Sequence, residues 1–292
     1  MPSNFDEKYN NYLQIFNAEL DKAFNSLNNL PKILKDAMVY AVTGGGKRIR
    51  PVLCIAVADM LGVDVNRALP FAIAIECIHS YSLVHDDLPA MDNDDFRRGK
   101  PSTHKQFGEA YGILAGDALL NFAFEYCLNK TDFGAKDALA LKILAEYAGP
   151  TGMIGGQVLD LENEKKSSYN EDVLYSIYLN KTAKLLTAPL LISSELAGGK
   201  YKSILKEFGL NFGYMFQITD DIMDVEGTIE LIGKTPNKDV AEDKLTAIKV
   251  YGLNGAKNKN KILYNKCIEL LKKINGSEFL QEFTTKIYTR NK

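Results

Sequence analysis

With 292 residues, 46% of them hydrophobic and 25% charged, the chain can bury a sizeable core and is not of disordered composition. A formal net charge of −2 excludes a global pull toward nucleic acid, so any charge-driven function must be local. The four cysteines are widely spaced with no CxxC pair, as expected of reduced thiols in the cytoplasm.

The opening segment MPSNFDEKYNNYLQIF has no basic stretch followed by an apolar one, so no secretory signal is expected. Tyr12, Ile15, Phe16, Leu20 and Phe24 then recur at steps of three and four and predict an amphipathic helix. GGGKRIRP at 44–51 offers backbone amides together with Lys47, Arg48 and Arg50. Cations beside glycines suit a diphosphate, and the spacing is not that of a P-loop. The run from Ala68 to Val84 is broken by Pro70, Glu76 and His79, so it reads as a buried helix rather than a membrane span.

That helix runs into five aspartates within the ten residues from Asp86 to Asp95, followed by Arg97, Arg98 and Lys100. Pro89 disfavours helical geometry at Leu88, so the chain should bend and bring Asp92 back beside Asp86. His79 lies seven residues before Asp86 on nearly the same helical face. GGQVLDL puts Gln157 and Asp160 on one helical face.

The stretches 171–198 and 201–225 read as long helices, and 258–274 and 277–292 as two shorter ones. In QITDDIMD, Asp220 and Asp224 fall four apart, about 40° around one helix face, with Asp221 beside them and Gln217 a turn back. Two carboxylates about 5 Å apart repel by roughly 3 kcal/mol at an effective dielectric of 20, which an intervening cation relieves. Oxygen-only ligands point to a hard ion such as Mg²⁺. Neither an EF-hand loop nor a cysteine–histidine cluster is present to suggest calcium or zinc.

Strand signals are scarce, and no linker or repeat divides the chain. The expected architecture is all-α: one domain over 1–292, a bundle of roughly ten or more helices. Two acidic motifs on apolar helices, with a separate basic segment, imply two greasy diphosphate substrates.

GGGKRIRP, HSYSLVHDDLPAMDNDDFRRGKPSTH, AGDALL, GGQVLDL, LNKTAKLL, FQITDDIMDVEG and GKTPNKDVAEDK together resemble the short-chain trans-prenyltransferases, the farnesyl and geranylgeranyl diphosphate synthases. Four residues separate the first aspartate pair from Asp92, as in the bacterial farnesyl synthases and plant-type geranylgeranyl synthases. The resemblance implies an isoprenoid synthase fold around a deep central cavity, a homodimer, and about three Mg²⁺ ions per site, with Mn²⁺ as a substitute. It implies metal ligation by Asp86, Asp87, Asp92, Asp220, Asp221 and Asp224. Arg97, Lys181, Lys234 and Lys244 would hold the allylic diphosphate. Lys47, Arg50, His79 and Arg98 would hold isopentenyl diphosphate. Thr182, Gln217 and the Lys181 carbonyl would stabilise the allylic cation, with Gln157 and Asp160 lining the cavity. The terminal YTRNK resembles family tails that fold over the site. Tyr81 and Ser82, just upstream of Asp86, would set product length; the bulk of Tyr81 favours a farnesyl over a geranylgeranyl product. A terpene cyclase fits DDIMD less well, and a non-catalytic synthase subunit fits poorly with two complete aspartate sets.

Overall fold

The computed structural model describes residues 4–164, 170–226 and 244–290. Helices α1 (Asn4–Asn25), α2 (Lys32–Thr43), α3 (Ile49–Met60) and α4 (Val65–Asp86) come first. A hairpin of β1 (Phe96–Arg97) and β2 (Lys100–Pro101) leads into α5 (Thr103–Phe107), α6 (Glu109–Lys130) and α7 (Ala135–Ala148). Then follow α8 (Met153–Asn163), α9 (Glu171–Ile177), a π-turn (Tyr178–Ala183), α10 (Lys184–Leu196), α11 (Lys202–Glu226), α12 (Ala247–Leu271) and α13 (Glu278–Thr289). Among the described residues the structure is all-α apart from that two-residue-per-strand hairpin. It divides into two compact units, Met1–Leu141 and Lys142–Lys292.

In the first unit α4 is the core helix. The Asp64 side chain caps it, accepting from the Asn66 amide at 3.0 Å, and Leu69 to Ile78 are buried without a break. By length and composition Val65–Asp86 could cross a membrane, but 78% of its most apolar window is buried inside the protein. It packs against α3 and α6. Close approach to α6 needs Gly116, where an added β-carbon would lie 2.1 Å from His85 Nε2. Tyr12, Phe16, Leu20 and Phe24 of α1 are buried as their spacing predicts, while Ile15 is half-buried.

In the second unit α11 is central, packed on α10, α12 and the π-turn. Its buried face includes Phe208, Phe212, Met215, Ile218 and Ile222. Gly252, at φ 67° and ψ 164°, kinks α12 in a conformation that is essentially glycine's alone.

Candidate active site

In the first unit the bend at Pro89 is present. The Asp92 amide donates to the Asp86 carbonyl at 2.8 Å, and the Asp94 amide to the Asp87 carbonyl at 3.1 Å. Backbone hydrogen bonds thus fold Asp92 back to Asp86 and Asp94 back to Asp87. A hairpin turn follows, with Arg98 (φ 54°) and Gly99 (φ 76°) both left-handed, as a type I′ turn demands. It returns Arg97 to Asp87, with Arg97 Nε 3.0 and 3.3 Å from the two carboxylate oxygens. Arg97 also pairs with Asp94 at 3.4 Å, and Lys105 with Asp95 at 2.7 Å, so these two further aspartates balance local cations. Burial raises the Asp87 carboxyl above its usual range, against the pull of Arg97.

The same hairpin reaches the basic loop. Arg98 Nη1 donates to the Gly45 carbonyl. The Arg98 guanidinium lies where a side chain at Gly46 would be, its carbon 2.6 Å from that β-carbon position, and Gly46 has φ 115°. Lys47 is exposed, and its carbonyl accepts from the Tyr9 hydroxyl. Arg50 is half-buried, its Nε buried without a hydrogen-bond partner among the described residues. Burial brings its guanidinium down to about 10 although Glu76 opposes the shift. His79 is pushed well below the usual imidazole range by burial and then by Arg50, Arg98, Arg97 and Arg48, so it is neutral at neutral pH. Beneath the loop, Arg48 and Glu76 form an almost fully buried ion pair at 2.6 Å.

Five residues before Asp86, Tyr81 is 5% exposed and meets the His85 ring edge-on at 5.8 Å. Its hydroxyl is buried without a hydrogen-bond partner among the described residues, and burial followed by Asp86 raises it to about 12. Ser82 turns back to bond the His79 carbonyl at 2.9 Å.

The second unit collects the remaining candidates around the π-turn. Gly156 of α8 and Gly213 of α11 press on it: added β-carbons would sit 2.1 Å from the Lys181 amide nitrogen and 2.3 Å from Ala183 Cα. The widened turn carries Lys181 and Thr182. Lys181 Nζ donates to Asp160 at 2.5 Å, and Thr182 Oγ1 to Gln217 Oε1 at 3.0 Å. Gln217 Nε2 in turn donates to Asp221 Oδ1 at 3.3 Å. Asp221 Oδ2 accepts from the Ala247 amide at 2.7 Å and from the Tyr178 hydroxyl, tying α11 to the start of α12. Asp224 is buried and Asp220 half-buried. Arg290, just past α13, pairs with Asp220 and covers the Phe216 ring at 4.6 Å. Lys244 immediately precedes α12, while Lys234 lies outside the described residues.

Each acidic group already draws in a guanidinium, Arg97 on Asp87 and Arg290 on Asp220. Among the described residues no three His, Cys, Asp or Glu side chains are grouped so as to hold a metal ion by themselves in this arrangement. Carboxylates that attract cations without enclosing one fit Mg²⁺, which keeps waters and shares phosphate oxygens. Sequence reasoning missed Glu76, Tyr178 and the pairing of Lys181 with Asp160. Their partners lie 28, 43 and 21 residues away in sequence, beyond any local pattern.

The polyprenyl synthetase family pattern matches residues 31–285, spanning both units. The farnesyl diphosphate synthase of Micrococcus luteus is 41% identical over 286 residues, covering 96% of each chain. The chloroplastic heterodimeric geranylgeranyl pyrophosphate synthase large subunit 1 of Arabidopsis thaliana is 44% identical over 86% of this chain and 70% of its own length. The crystal structure of a Helicobacter pylori geranyltransferase, complexed with magnesium and isoprenyl diphosphate, superposes with a TM-score of 0.85 at 32% identity, over 98% of this chain and 97% of that one. With its acidic turns, its basic loop and this coverage by relatives, the chain belongs to the polyprenyl synthetase family.

Proposed function

We propose that the chain is a Mg²⁺-dependent prenyltransferase that joins isopentenyl diphosphate head to tail with dimethylallyl or geranyl diphosphate, giving farnesyl diphosphate. The observation that carries this reading is the first unit's arrangement: an aspartate-rich turn whose backbone hydrogen bonds bring Asp92 to Asp86 and Asp94 to Asp87, continuous through one hairpin with a basic loop. Asp86, Asp87 and Asp92, with Asp220, Asp221 and Asp224, would hold about three Mg²⁺ ions, or Mn²⁺ in their place. When bound, the metal supplies neutralising charge for the departing diphosphate.

The protein's own groups do the rest. Arg97, Lys181, Lys234 and Lys244 hold the allylic diphosphate and stabilise its negative charge as the carbon–oxygen bond breaks. Lys47, Arg50 and Arg98 hold the isopentenyl diphosphate, and neutral His79 offers it a hydrogen bond without adding charge. Oxygens of Thr182, Gln217 and the Lys181 carbonyl face the electron-poor allylic carbon. The isopentenyl double bond attacks that carbon, and the proton lost from the adduct passes to the released diphosphate. Gln157 and Asp160 border the reacting chain, Asp160 also orienting Lys181. Water must be kept out, because it would quench the cation.

Tyr81, five residues before Asp86, forms the floor against which the product stops, with Ser82 beside it. A hydroxyl left buried without a partner costs about 1–3 kcal/mol, a cost an incidental packing residue such as Phe would avoid. The geranylgeranyl product is the second reading, favoured by the similarity to the Arabidopsis subunit. The catalytic domain spans the whole chain, and two copies associate. All four cysteines are buried, which suits thiols kept in the reducing cytoplasm.

The test is one assay: purified protein, Mg²⁺, labelled isopentenyl diphosphate and geranyl diphosphate, with products resolved by chain length. Fifteen-carbon product is expected, abolished by EDTA, with Tyr81→Ala shifting output toward twenty carbons. Absence of elongation would sink the enzyme reading. Predominant twenty-carbon product from the wild type would replace farnesyl by geranylgeranyl, and an unmoved product in Tyr81→Ala would remove that residue's role.

A further inference from the structure

Glu76 lies mid-way along α4, three residues before His79, and the chemistry above does not use it. Its side chain is 3% exposed. A carboxylate so deep in a core helix is costly unless it is paired in good geometry. It is: Arg48 Nη1 donates to Glu76 Oε1 at 2.6 Å, and Arg48 Nη2 donates to the Val42 carbonyl at 2.6 Å. The guanidinium also lies 6.0 Å from the centre of the Phe16 ring.

These contacts fix the residue on which the basic loop turns. Arg48 is left-handed, at φ 50° and ψ 37°, and is the N-cap residue of α3. A residue with a β-carbon adopts that conformation only against a steric penalty, so something must hold it there. On one side of Arg48 stands Lys47. On the other α3 begins, and two residues along it Arg50 keeps a buried Nε with no hydrogen-bond partner among the described residues, as a side chain awaiting an anion would.

We propose that Glu76 is the positioning residue of the isopentenyl diphosphate site: through its ion pair it holds the left-handed turn at Arg48, and so the directions in which Lys47 and Arg50 offer their cations. This rests on the function proposed above. It makes an asymmetric demand, because Glu76 serves one substrate and not the other. Its sign also separates positioning from a bare charge effect. If Glu76 mattered only as a negative charge near arginines, removing it would strengthen diphosphate binding.

The experiment compares wild type with Glu76→Gln, which keeps the shape and removes the charge. KM is measured for each substrate with the other saturating, and isopentenyl diphosphate alone is titrated by calorimetry. Positioning predicts that KM and Kd for isopentenyl diphosphate rise about tenfold, the loss of one charge-assisted hydrogen bond. KM for geranyl diphosphate stays within about twofold. Because Glu76→Gln leaves Arg48 buried without its counter-charge, a double variant with Arg48→Gln removes both charges. It is expected to regain thermal stability yet keep the isopentenyl defect. An unchanged or lowered isopentenyl KM, equal changes for both substrates, or recovered affinity in the double variant would overturn the proposal. If the wild type neither elongates nor binds isopentenyl diphosphate, the function reading fails first and carries this one with it.

Discussion

His79 is surrounded by arginines, and its imidazole loses its proton far more readily than in the unfolded chain. Unfolded histidine titrates near 6.5, so as pH falls below about 6.5 the unfolded state takes up a proton that the folded state refuses. Stability from this residue is therefore complete above that pH and is lost on acidification toward the depressed folded value. His79→Gln should flatten the acid side of the melting-temperature profile between about pH 6.5 and 5, measured by calorimetry. An unchanged slope would mean that His79 is not a titrating group there. At this scale the sequence offers candidate residues but not the partners they touch. The bend that groups Asp86 with Asp92 follows from Pro89, a local effect. The Arg48–Glu76 and Asp221–Tyr178 pairs are made by chain folding back on itself, so no spacing rule announces them. Asp94 and Asp95 found cations within ten residues, as crowded opposite charges tend to.

Among the helices, periodicity located most of the segments because each buries one stripe against a neighbour. It read 171–198 as one uninterrupted helix, whereas the backbone widens into a π-turn over Tyr178–Ala183. One surplus residue hardly disturbs the helical spacing of side chains in an amphipathic segment, so no sequence pattern marks the turn. Its cause lies in the partners: Gly156 and Gly213 let α8 and α11 come within backbone contact of it. Gly156→Ala should thus force α8 away from the Lys181 amide, at about 1–3 kcal/mol, the range for overpacking. A drop in melting temperature of roughly 3–8 °C, with weakened geranyl diphosphate binding, is the expected result. A variant melting like wild type would show that the contact yields freely. The hairpin at Arg97–Lys100 was also missed, since two-residue strands are too short for alternation to register.

For the molecule as a whole, fold class and family were legible because the motifs run in one order along most of the chain, and the matched pattern spans both compact units. Self-association depends on surface rather than motif. Helix α6 leaves Tyr111, Ile113 and Leu114 exposed at 42%, 46% and 53%. If the proposed dimer is seated on this face, Leu114→Glu should lower the mass seen by light scattering from that of a dimer to that of a monomer while leaving the helical circular dichroism intact. A monomeric wild type would refute the dimer instead.

The clasp of Arg98 over Gly46 has a thermodynamic corollary. The basic loop and the hairpin that completes it are joined across 53 residues of chain, so the unfolded polypeptide has no such site to offer. A ligand that binds only the folded form acts as ballast for it: at a hundredfold excess over Kd, a diphosphate adds about 2.7 kcal/mol. The first unit's resistance to heat and proteases is then coupled to substrate supply, and a cell short of precursors would hold this protein closer to its unfolding threshold than one that is replete.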